Sequence, residues 1–418
     1  MKITIHRGAN QIGGCITEIA TEKAKVFIDF GCNLPGSKNE ELTTKEVDVI
    51  AGDADAIFYS HYHGDHVGLH HLIPEHTAQY MGAGAIDVMR CKYDALNTHQ
   101  DFSQQLNAIK RMIPFKERER IAVKNNIFVT PFFVSHSAFD AYMFLIECDG
   151  KRILHTGDFR RHGYLGKGLF PTVEKFIGKV DILITEGTML GRNQEQVVTE
   201  HQIQLNTIQA LREHKYVFAL CSSTDIDRLA SFHAACKKTG RLFIVDGYHH
   251  RVLDVFSKYS GSKSSLYKFD NVFELRDHKS YRIEKITNYL RDKGFLMPVR
   301  MNSLWLIEDM MQVFTDEAPW LLYSMWSGYA EGGGDNANEN VIAIRHLFEN
   351  RILDGVKDGF HTSGHADVAT LSEICQAVSP SIGTIPIHKD VGANYKSRTS
   401  RVFDEGFFKT DGIEIEVH

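Results

Sequence analysis

The chain has 418 residues, of which 43% are hydrophobic, and a formal net charge of −6 at pH 7. This length exceeds one ordinary core and predicts two domains, while the lack of any run of 18 or more apolar residues excludes a simple membrane-spanning segment. The first residues lack the apolar centre of a signal peptide, and seven cysteines without a Cys-x-x-Cys pair predict reduced thiols in a cytoplasmic protein.

The predicted elements divide the chain into a part rich in strands and a part in which helices and strands alternate. Short apolar or alternating runs predict strands at 3–5, 15–20, 24–29, 56–59, 127–134, 141–148, 152–154 and 182–184. Between Gly82 and Lys124 the pattern is helical and polar. After Thr199, predicted helices alternate with predicted strands. The helices are 202–215 and a second one that follows Asp225 and runs through Lys238, and the strands are 216–221 and 241–245. Two successive βα units imply a parallel sheet with a right-handed crossover.

The segment after the strand at 56–59 is dense in residue types that bind metals. His61, His63, Asp65 and His66 fall within six positions. So short a segment cannot surround one tetrahedral ion without strain, but it can serve two neighbouring ions, since His61 and His63 point the same way at a spacing of two. Imidazole and carboxylate donors suit zinc, manganese or iron. The alternative is a polar loop in a chain with 22 histidines.

Two ions need further ligands, and three candidates follow apolar, strand-like runs. They are His136, Asp158 and His388. Gly157 lets the backbone bend sharply and expose the carboxylate of Asp158. Taken singly, a histidine after a strand is also typical of a hydrogen-bonded structural residue. The three gain weight only together with the first cluster.

In this order, the cluster from His61 to His66 followed by His136, Asp158 and His388 resembles the metallo-β-lactamase superfamily. Three later segments are similar to the motifs of its β-CASP nucleases, namely the strand ending at Glu186, His361–Ala366 and Ile385–His388. Together they resemble ribonuclease J more than the DNA-repair branch. The resemblance covers nearly the whole chain, from about residue 3 to about residue 400.

The resemblance implies an α/β fold, a metallo-β-lactamase αββα sandwich with an inserted α/β β-CASP domain. Residues 1–200 and 356–418 would form the discontinuous metallo-β-lactamase domain, and residues 201–355 the β-CASP domain. The active site would then lie in the cleft between them. Such a cleft favours single-stranded RNA over a folded duplex.

The resemblance also assigns roles to the candidate ligands. It implies two divalent metal ions, with zinc favoured and manganese the alternative. One ion would be bound by His61, His63 and His136. The other would be bound by Asp65, His66 and His388, with Asp158 bridging the two. Asp29 matches the family's first motif, in which the carboxylate orients the histidines; the alternative is an acidic residue that starts a turn.

Two cations a few ångströms apart hold a hydroxide at neutral pH and clamp a phosphodiester oxygen. Asp65 is expected to orient that hydroxide. His365 is the candidate proton donor to the leaving oxygen, held in its donating orientation by Glu186. Ser363 and Gly364 would present a hydroxyl and backbone amides to a phosphate. Alternatively, His365 belongs to a turn that caps the helix beginning near Asp367.

Two other segments are candidates for contacts with the RNA backbone. Ser222 and Ser223 follow a predicted strand and precede a helix, where anions bind readily; the alternative is an ordinary helix cap. In ribonuclease J-like proteins the equivalent turn helps to hold an RNA phosphate, which favours the functional interpretation. The basic run at 396–401 is the other candidate. Two bound divalent ions would offset the negative net charge locally.

These observations favour a metal-dependent ribonuclease that hydrolyses single-stranded RNA as an endonuclease, a 5′-to-3′ exonuclease, or both. The alternatives are a DNA nuclease of the same superfamily, a catalytically inert RNA-binding protein and a small-molecule hydrolase. Two departures from ribonuclease J are visible: Lys389 and Asp390 replace a common Gly-Glu after His388, and only 30 residues follow His388. A homo-oligomer therefore remains an open alternative, and no membrane partner is expected.

Overall fold

The computed structural model describes residues 1–192, 197–260, 264–277, 279–330, 336–393, 395, 401–402 and 413–417. The chain forms two compact units. The first consists of residues 1–161, 165–196 and 364–418, and the second of residues 162–164 and 197–363. The division into a metallo-β-lactamase domain and a β-CASP domain, with boundaries at 200/201 and 355/356, stays a prediction.

The strands within the described residues are numbered in chain order. They are β1 Lys2–Arg7, β2 Ile16–Ala20, β3 Lys25–Ile28, β4 Ala56–Phe58, β5 Ala78–Gly82, β6 Ile113–Phe115, β7 Ile121–Val123, β8 Ile127–Val134, β9 Ala141–Cys148, β10 Lys151–His155, β11 Ile182–Glu186, β12 Tyr216–Leu220, β13 Leu242–Asp246, β14 Val272–Leu275, β15 Phe295–Val299, β16 Trp320–Tyr323, β17 Ile352–Leu353, β18 Gly383–Ile387 and β19 Ile413–Glu416.

The α-helices are numbered in the same way for the part of the chain that is described. They are α1 Thr44–Ala51, α2 Gly64–Val67, α3 Ala83–Leu96, α4 Ser103–Arg111, α5 Leu169–Thr172, α6 Glu200–Glu213, α7 Ile226–Thr239, α8 Gly247–Ser260, α9 Glu284–Lys293, α10 Leu304–Val313, α11 Glu339–Phe348 and α12 Val368–Val378. A π-helix, Val173–Ile177, continues α5.

The first unit contains two sheets that pack face to face. Their strand orders are β19-β1-β2-β3-β4-β5-β6 and β18-β11-β10-β9-β8-β7. Alternate residues of both sheets point inward to one core, for example Val26 and Ile28 from β3 and Phe144 and Ile146 from β9. Because side chains alternate along a strand, the residues between them face outward and need a second cover.

Helices supply that cover and complete the layered sandwich. On the outer face of the second sheet, Leu145 and Leu183 pack with Leu371 and Ile374 of α12. Helix α3 packs against β5 and β6 of the first sheet. The helix begins directly after β5, so the chain turns back over the sheet it has just left. The unit thus has the αββα order that the resemblance implied.

The second unit contains a six-stranded sheet in its described part, in the order β14-β13-β15-β12-β16-β17. Every neighbouring pair in it is parallel. Its strands are continuous apolar runs such as Phe295–Val299, buried at every position, as expected for a parallel sheet covered on both faces. The two βα units predicted from the sequence belong to this sheet.

One sequence prediction was incomplete. The stretch from Gly82 to Lys124 contains the predicted helical pattern in α3 and α4, but also the short strands β6 and β7. Each strand has only three residues, too few to establish an alternating pattern.

In the described part of the chain, no helix combines the length and the apolar character needed to cross a membrane.

Candidate metal centre and active site

The strands of the first unit deliver the predicted ligands to one place. Strand β4 ends three residues before His61, and β18 ends directly before His388. Strands β11 and β18 run parallel with Glu186 opposite Ile387, so Glu186 and His388 leave the same edge of their sheet. Parallel strands end together at one edge, which explains why Glu186 and His388 converge although they lie about 200 positions apart in the chain.

The first predicted set of ligands is assembled. Ligand atoms of His61, His63 and His136 all lie within 4.8 Å of one another. Nδ1 of His63 is 3.2 Å from Nε2 of His136. On its other side, the His136 ring donates from Nδ1 to the carbonyl of Gly364 at 2.6 Å, which fixes the ring and turns Nε2 toward the other two histidines.

The second predicted set is also assembled. Oδ2 of Asp65 is 3.0 Å from Nε2 of His388 and 3.9 Å from Nε2 of His66. Donors bound tetrahedrally to one zinc ion at about 2.0 to 2.1 Å lie about 3.3 Å apart. The observed separations scatter around that value.

Asp158 lies between the two sets. Its Oδ2 is 4.0 Å from Nε2 of His61, 3.1 Å from Nε2 of His66 and 3.8 Å from Nε2 of His388. The carboxylate is 2% exposed. This is the placement that a bridging ligand would need.

Three buried atoms in this cluster test whether it fits metal ions. Nε2 of His61, Nε2 of His66 and Oδ1 of Asp158 make no hydrogen bond within the described residues. Buried polar atoms without partners are rare and costly, and a divalent cation would satisfy all three. Imidazoles with carboxylates are a donor set for zinc, manganese or iron. The residues therefore fit a divalent metal centre.

The surroundings act differently on the histidines: burial lowers the pKa of His61, His63 and His136, whereas at His66 burial is outweighed by Asp158 and other neighbours, which hold the pKa well above its usual value. Burial lowers the pKa of His63 to about 4, and burial followed by the neighbouring His66 lowers the pKa of His61 well below its usual value. Burial alone would raise the pKa of Asp158, but His388 and His66 outweigh it and hold the pKa well below its usual range. Neutral imidazole and ionised carboxylate are the forms that bind metals.

Asp29 orients two of the predicted ligands. Its Oδ2 accepts from Nδ1 of His66 at 2.8 Å and from the Ser60 hydroxyl at 2.8 Å. Nδ1 of His61 in turn lies 3.0 Å from that hydroxyl. Asp29 has a φ of +62°, unusual for a residue other than glycine. A strained backbone at this position is consistent with a functional constraint.

His365 and Glu186 form a pair beside the second set. Nδ1 of His365 is 3.0 Å from Oε2 of Glu186 and 3.5 Å from Oδ2 of Asp158. Oε1 of Glu186 accepts from the amide of Ala366 at 3.1 Å, which fixes the carboxylate. Burial lowers the pKa of His365, but the carboxylates of Glu186 and Asp158 outweigh it, and the pKa lies above its ordinary value.

Comparison with known families supports this picture. Residues 28–219 match the model of the beta-lactamase superfamily domain. This stretch of the chain is similar to a metallo-β-lactamase superfamily domain. The recognition made from the histidine motif is therefore confirmed, and the fold together with the His and Asp cluster supports a hydrolase that binds divalent metal.

One curated relative narrows the similarity within the metallo-β-lactamase superfamily. The chain is 28% identical over 194 residues to an "RNase J-like protein" of Methanocaldococcus jannaschii. The match covers 44% of this chain and 42% of the relative, so it spans less than half of the relative's own length. The predicted similarity to ribonuclease J is thus supported over that part.

A solved structure extends the fold comparison to the whole chain. A crystal structure of a protein of unknown function from Enterococcus faecalis V583 aligns with a TM-score of 0.72. The alignment covers 99% of both chains at 17% sequence identity. It confirms the mixed α/β fold class and carries no information about function.

Sequence reasoning missed two hydroxyl residues that contact the candidate ligands. Ser60 links Asp29 to His61, as described above. The Thr188 hydroxyl is 2.7 Å from Nδ1 of His388 and 3.2 Å from Nδ1 of His365. A signal was present in both cases, since Ser60 directly precedes the histidine cluster and Thr188 lies two positions after Glu186. Serine and threonine are too common at strand ends for such a signal to be specific.

The predicted phosphate-binding residues have other visible contacts. Ser222 lies 3.3 Å from the Thr224 hydroxyl, and α7 is capped by Asp225 rather than by Ser222 or Ser223. The carbonyl of Ser363 accepts from His162 at 2.7 Å. Contact of these serines with phosphate stays a prediction.

The alternative interpretation of His365 as a helix cap can be compared with the structure. Helix α12 is capped by the side chain of Asp367, which accepts from the amide of Thr370. His365 precedes that cap and contacts Glu186 instead. At Gly364, a Cβ atom would lie 2.7 Å from the Ser137 hydroxyl and 3.1 Å from the His136 ring.

Most of the basic run, residues 396–400, lies outside the described residues.

Proposed function

We propose that this chain is a metal-dependent β-CASP ribonuclease that hydrolyses phosphodiester bonds in single-stranded RNA. The observation that carries the proposal is the arrangement of two ligand sets that share Asp158, with the His365–Glu186 pair beside them. The name of the Methanocaldococcus jannaschii relative points to the same class of activity. The cofactors would be two divalent ions, zinc in preference to manganese.

The bound metals and the protein side chains would have different roles in the proposed reaction. When bound, the two ions would supply Lewis-acid activation of water and of the phosphodiester. Asp65 would orient the attacking water, since its carboxylate is only 11% exposed and lies at the second ligand set. Asp158 would hold the separation of the two sets constant, because its carboxylate touches both.

In the proposed reaction, His365 donates a proton to the leaving group. The departing sugar oxygen must gain a proton, and an imidazole is a suited donor near neutral pH. Glu186 fixes the ring through Nδ1 at 3.0 Å and favours the protonated form electrostatically. Because Ala366 anchors the other oxygen of Glu186, the pair has little freedom to rotate.

The test compares matched nucleic acids. A 5′-labelled single-stranded RNA and the DNA of the same sequence are incubated with metal-loaded protein, with 5′-monophosphate and 5′-triphosphate ends compared. The proposal predicts cleavage of RNA at least about a hundredfold faster than DNA, consistent with a site that rejects a substrate lacking one hydroxyl. The Asp158→Ala variant serves as the inactive control.

The product pattern separates the alternatives. Mononucleotides released from the 5′ end indicate an exonuclease, and internal fragments indicate an endonuclease. Equal cleavage of DNA would overturn the assignment in favour of a DNA nuclease. RNA binding without cleavage by protein that carries two metal ions would show that the chain is a catalytically inert RNA-binding protein.

A further inference from the structure

A thiol lies beside the second ligand set, at a position that the proposed roles leave unused. Cys15 is 1% exposed. Its Sγ lies within 4.8 Å of ligand atoms of both His66 and His388, and those atoms lie within the same distance of each other. The amide of Cys15 donates to the carbonyl of Asp65 at 2.9 Å. The residue therefore touches the second set with its backbone and faces it with its side chain.

The backbone around Cys15 is built into the same framework as the ligands. The carbonyl of Gly8 accepts from the amide of His388 at 2.6 Å, and the carbonyl of Cys15 accepts from the amide of Gly31 at 3.0 Å. Gly8 has a φ of +100°, and a Cβ atom there would lie 3.2 Å from Sγ of Cys15. A glycine at position 8 thus leaves the thiol its space next to His388.

The Cys15 thiol faces two histidines, whereas the thiols of Cys32 and Cys236 donate to backbone carbonyls. Sγ of Cys32 donates to the carbonyl of Gly64, and Sγ of Cys236 donates to the carbonyl of Leu242. Nε2 of His66, a member of the cluster with Cys15, is buried and makes no hydrogen bond within the described part of the chain. Two potential donors, a sulfur and an imidazole nitrogen, therefore face the place where the second ion would lie.

We propose that Cys15 is a further ligand of the second ion and makes that position selective for zinc over manganese. The inference rests on the proposed dinuclear centre, which it extends by one residue. A thiolate is a soft ligand that favours zinc, whereas histidine and carboxylate donors accept either metal. As the sulfur–metal bond forms, the S–H bond breaks and the proton leaves to solvent.

Cobalt(II) provides a direct readout of sulfur ligation that does not depend on activity. Metal-free protein is titrated with Co²⁺ alone, and its absorption spectrum is recorded for wild type, Cys15→Ser and Cys221→Ser. Cys221 is the matched control, a buried thiol that lies just after β12 in the other unit. The expected result is a near-ultraviolet sulfur-to-cobalt charge-transfer band in wild type and Cys221→Ser that is lost in Cys15→Ser.

Selectivity gives a second measurement. In competition between zinc and manganese, the preference for zinc should fall about tenfold or more in Cys15→Ser and stay unchanged in Cys221→Ser, in line with the usual effect of altering one residue around a metal. Wild-type protein that binds two Co²⁺ ions without the charge-transfer band would overturn the role of Cys15 and leave the dinuclear centre standing. Wild-type protein that binds no Co²⁺ would overturn both. Because the first outcome is read on wild type, poor folding of the variant cannot obscure it.

Discussion

At the scale of single residues, three imidazoles of the candidate site are held by a contact at the nitrogen that is turned away from the proposed metal position. His66 is held by Asp29, His136 by the carbonyl of Gly364, and His388 by the Thr188 hydroxyl. In the proposed centre, these contacts would leave the opposite nitrogen of each ring as the ligand to a metal. His365 has Glu186 as its partner at Nδ1, and we propose that it is a proton donor rather than a ligand.

The His365→Ala variant is expected to keep both metal ions and to lose turnover by a factor of about 10² to 10⁴, the usual contribution of a general acid. The measurement is the single-turnover rate on labelled RNA together with metal content. His250→Ala, a partly exposed histidine on α8, is the control and should cleave at the wild-type rate. An unchanged rate in His365→Ala would remove this residue from the mechanism.

The candidate metal ligands could be proposed from the sequence because their signals are local. His61 to His66 form one short segment, and the remaining ligands follow apolar strands. The hydroxyls of Ser60 and Thr188 could not be predicted, since their function depends on contacts with residues 31 and 200 positions away. The role proposed for the Cys15 thiol could not be predicted for the same reason: its neighbours are His66 on α2 and His388 after β18, both far along the chain.

At the scale of elements, the segment after α2 secures the ligand-bearing loop. His70 lies in a 3₁₀ turn, is fully buried, and donates from Nδ1 to the carbonyl of Val67 at 2.9 Å. Nε2 lies 3.4 Å from the carbonyl of Gln105 on α4. Burial lowers the pKa of His70 to about 4 despite the Val67 carbonyl. The fold therefore contains this histidine in its neutral form.

This burial predicts a dependence of stability on pH. The unfolded chain binds a proton at His70 below about pH 6.5, whereas the folded chain does so only near pH 4, so the contribution of His70 is complete above pH 6.5 and is lost as the pH falls toward 4. The stability advantage of wild type over His70→Asn should shrink by about 2 to 3 kcal/mol between pH 7 and pH 4.5. Denaturant unfolding at both pH values measures it.

The control for that experiment is His76→Asn, an exposed histidine near the carbonyl of Gly52. Its stability difference from wild type should be the same at both pH values. A constant difference between wild type and His70→Asn would show that His70 does not contribute through its neutral form. Comparing each variant with wild type cancels the titration of the other histidines.

At the scale of the whole molecule, residues that are far apart in the sequence are neighbours in the fold. This limits which contacts could be predicted from the sequence. His388, at the end of β18, lies 3.0 Å from Asp65 of the six-residue cluster at His61, although β18 pairs with β11 in a different sheet from β4. Strand periodicity identified β18 as a strand but contains no information about its neighbour in the sheet. The αββα layering was predicted through the resemblance and the parallel sheet of the second unit from two successive βα units, whereas β6 and β7 were too short to be recognised.

The central claim is that seven side chains of one unit bind two divalent ions, and elemental analysis tests it most directly. Metal-free protein is equilibrated with zinc, freed of excess metal, and its metal-to-protein ratio is measured for wild type and Asp158→Ala. The account predicts two ions per chain in wild type and at most one in the variant, because Asp158 contacts both ligand sets. A wild-type ratio near zero, with zinc or with manganese, would contradict it.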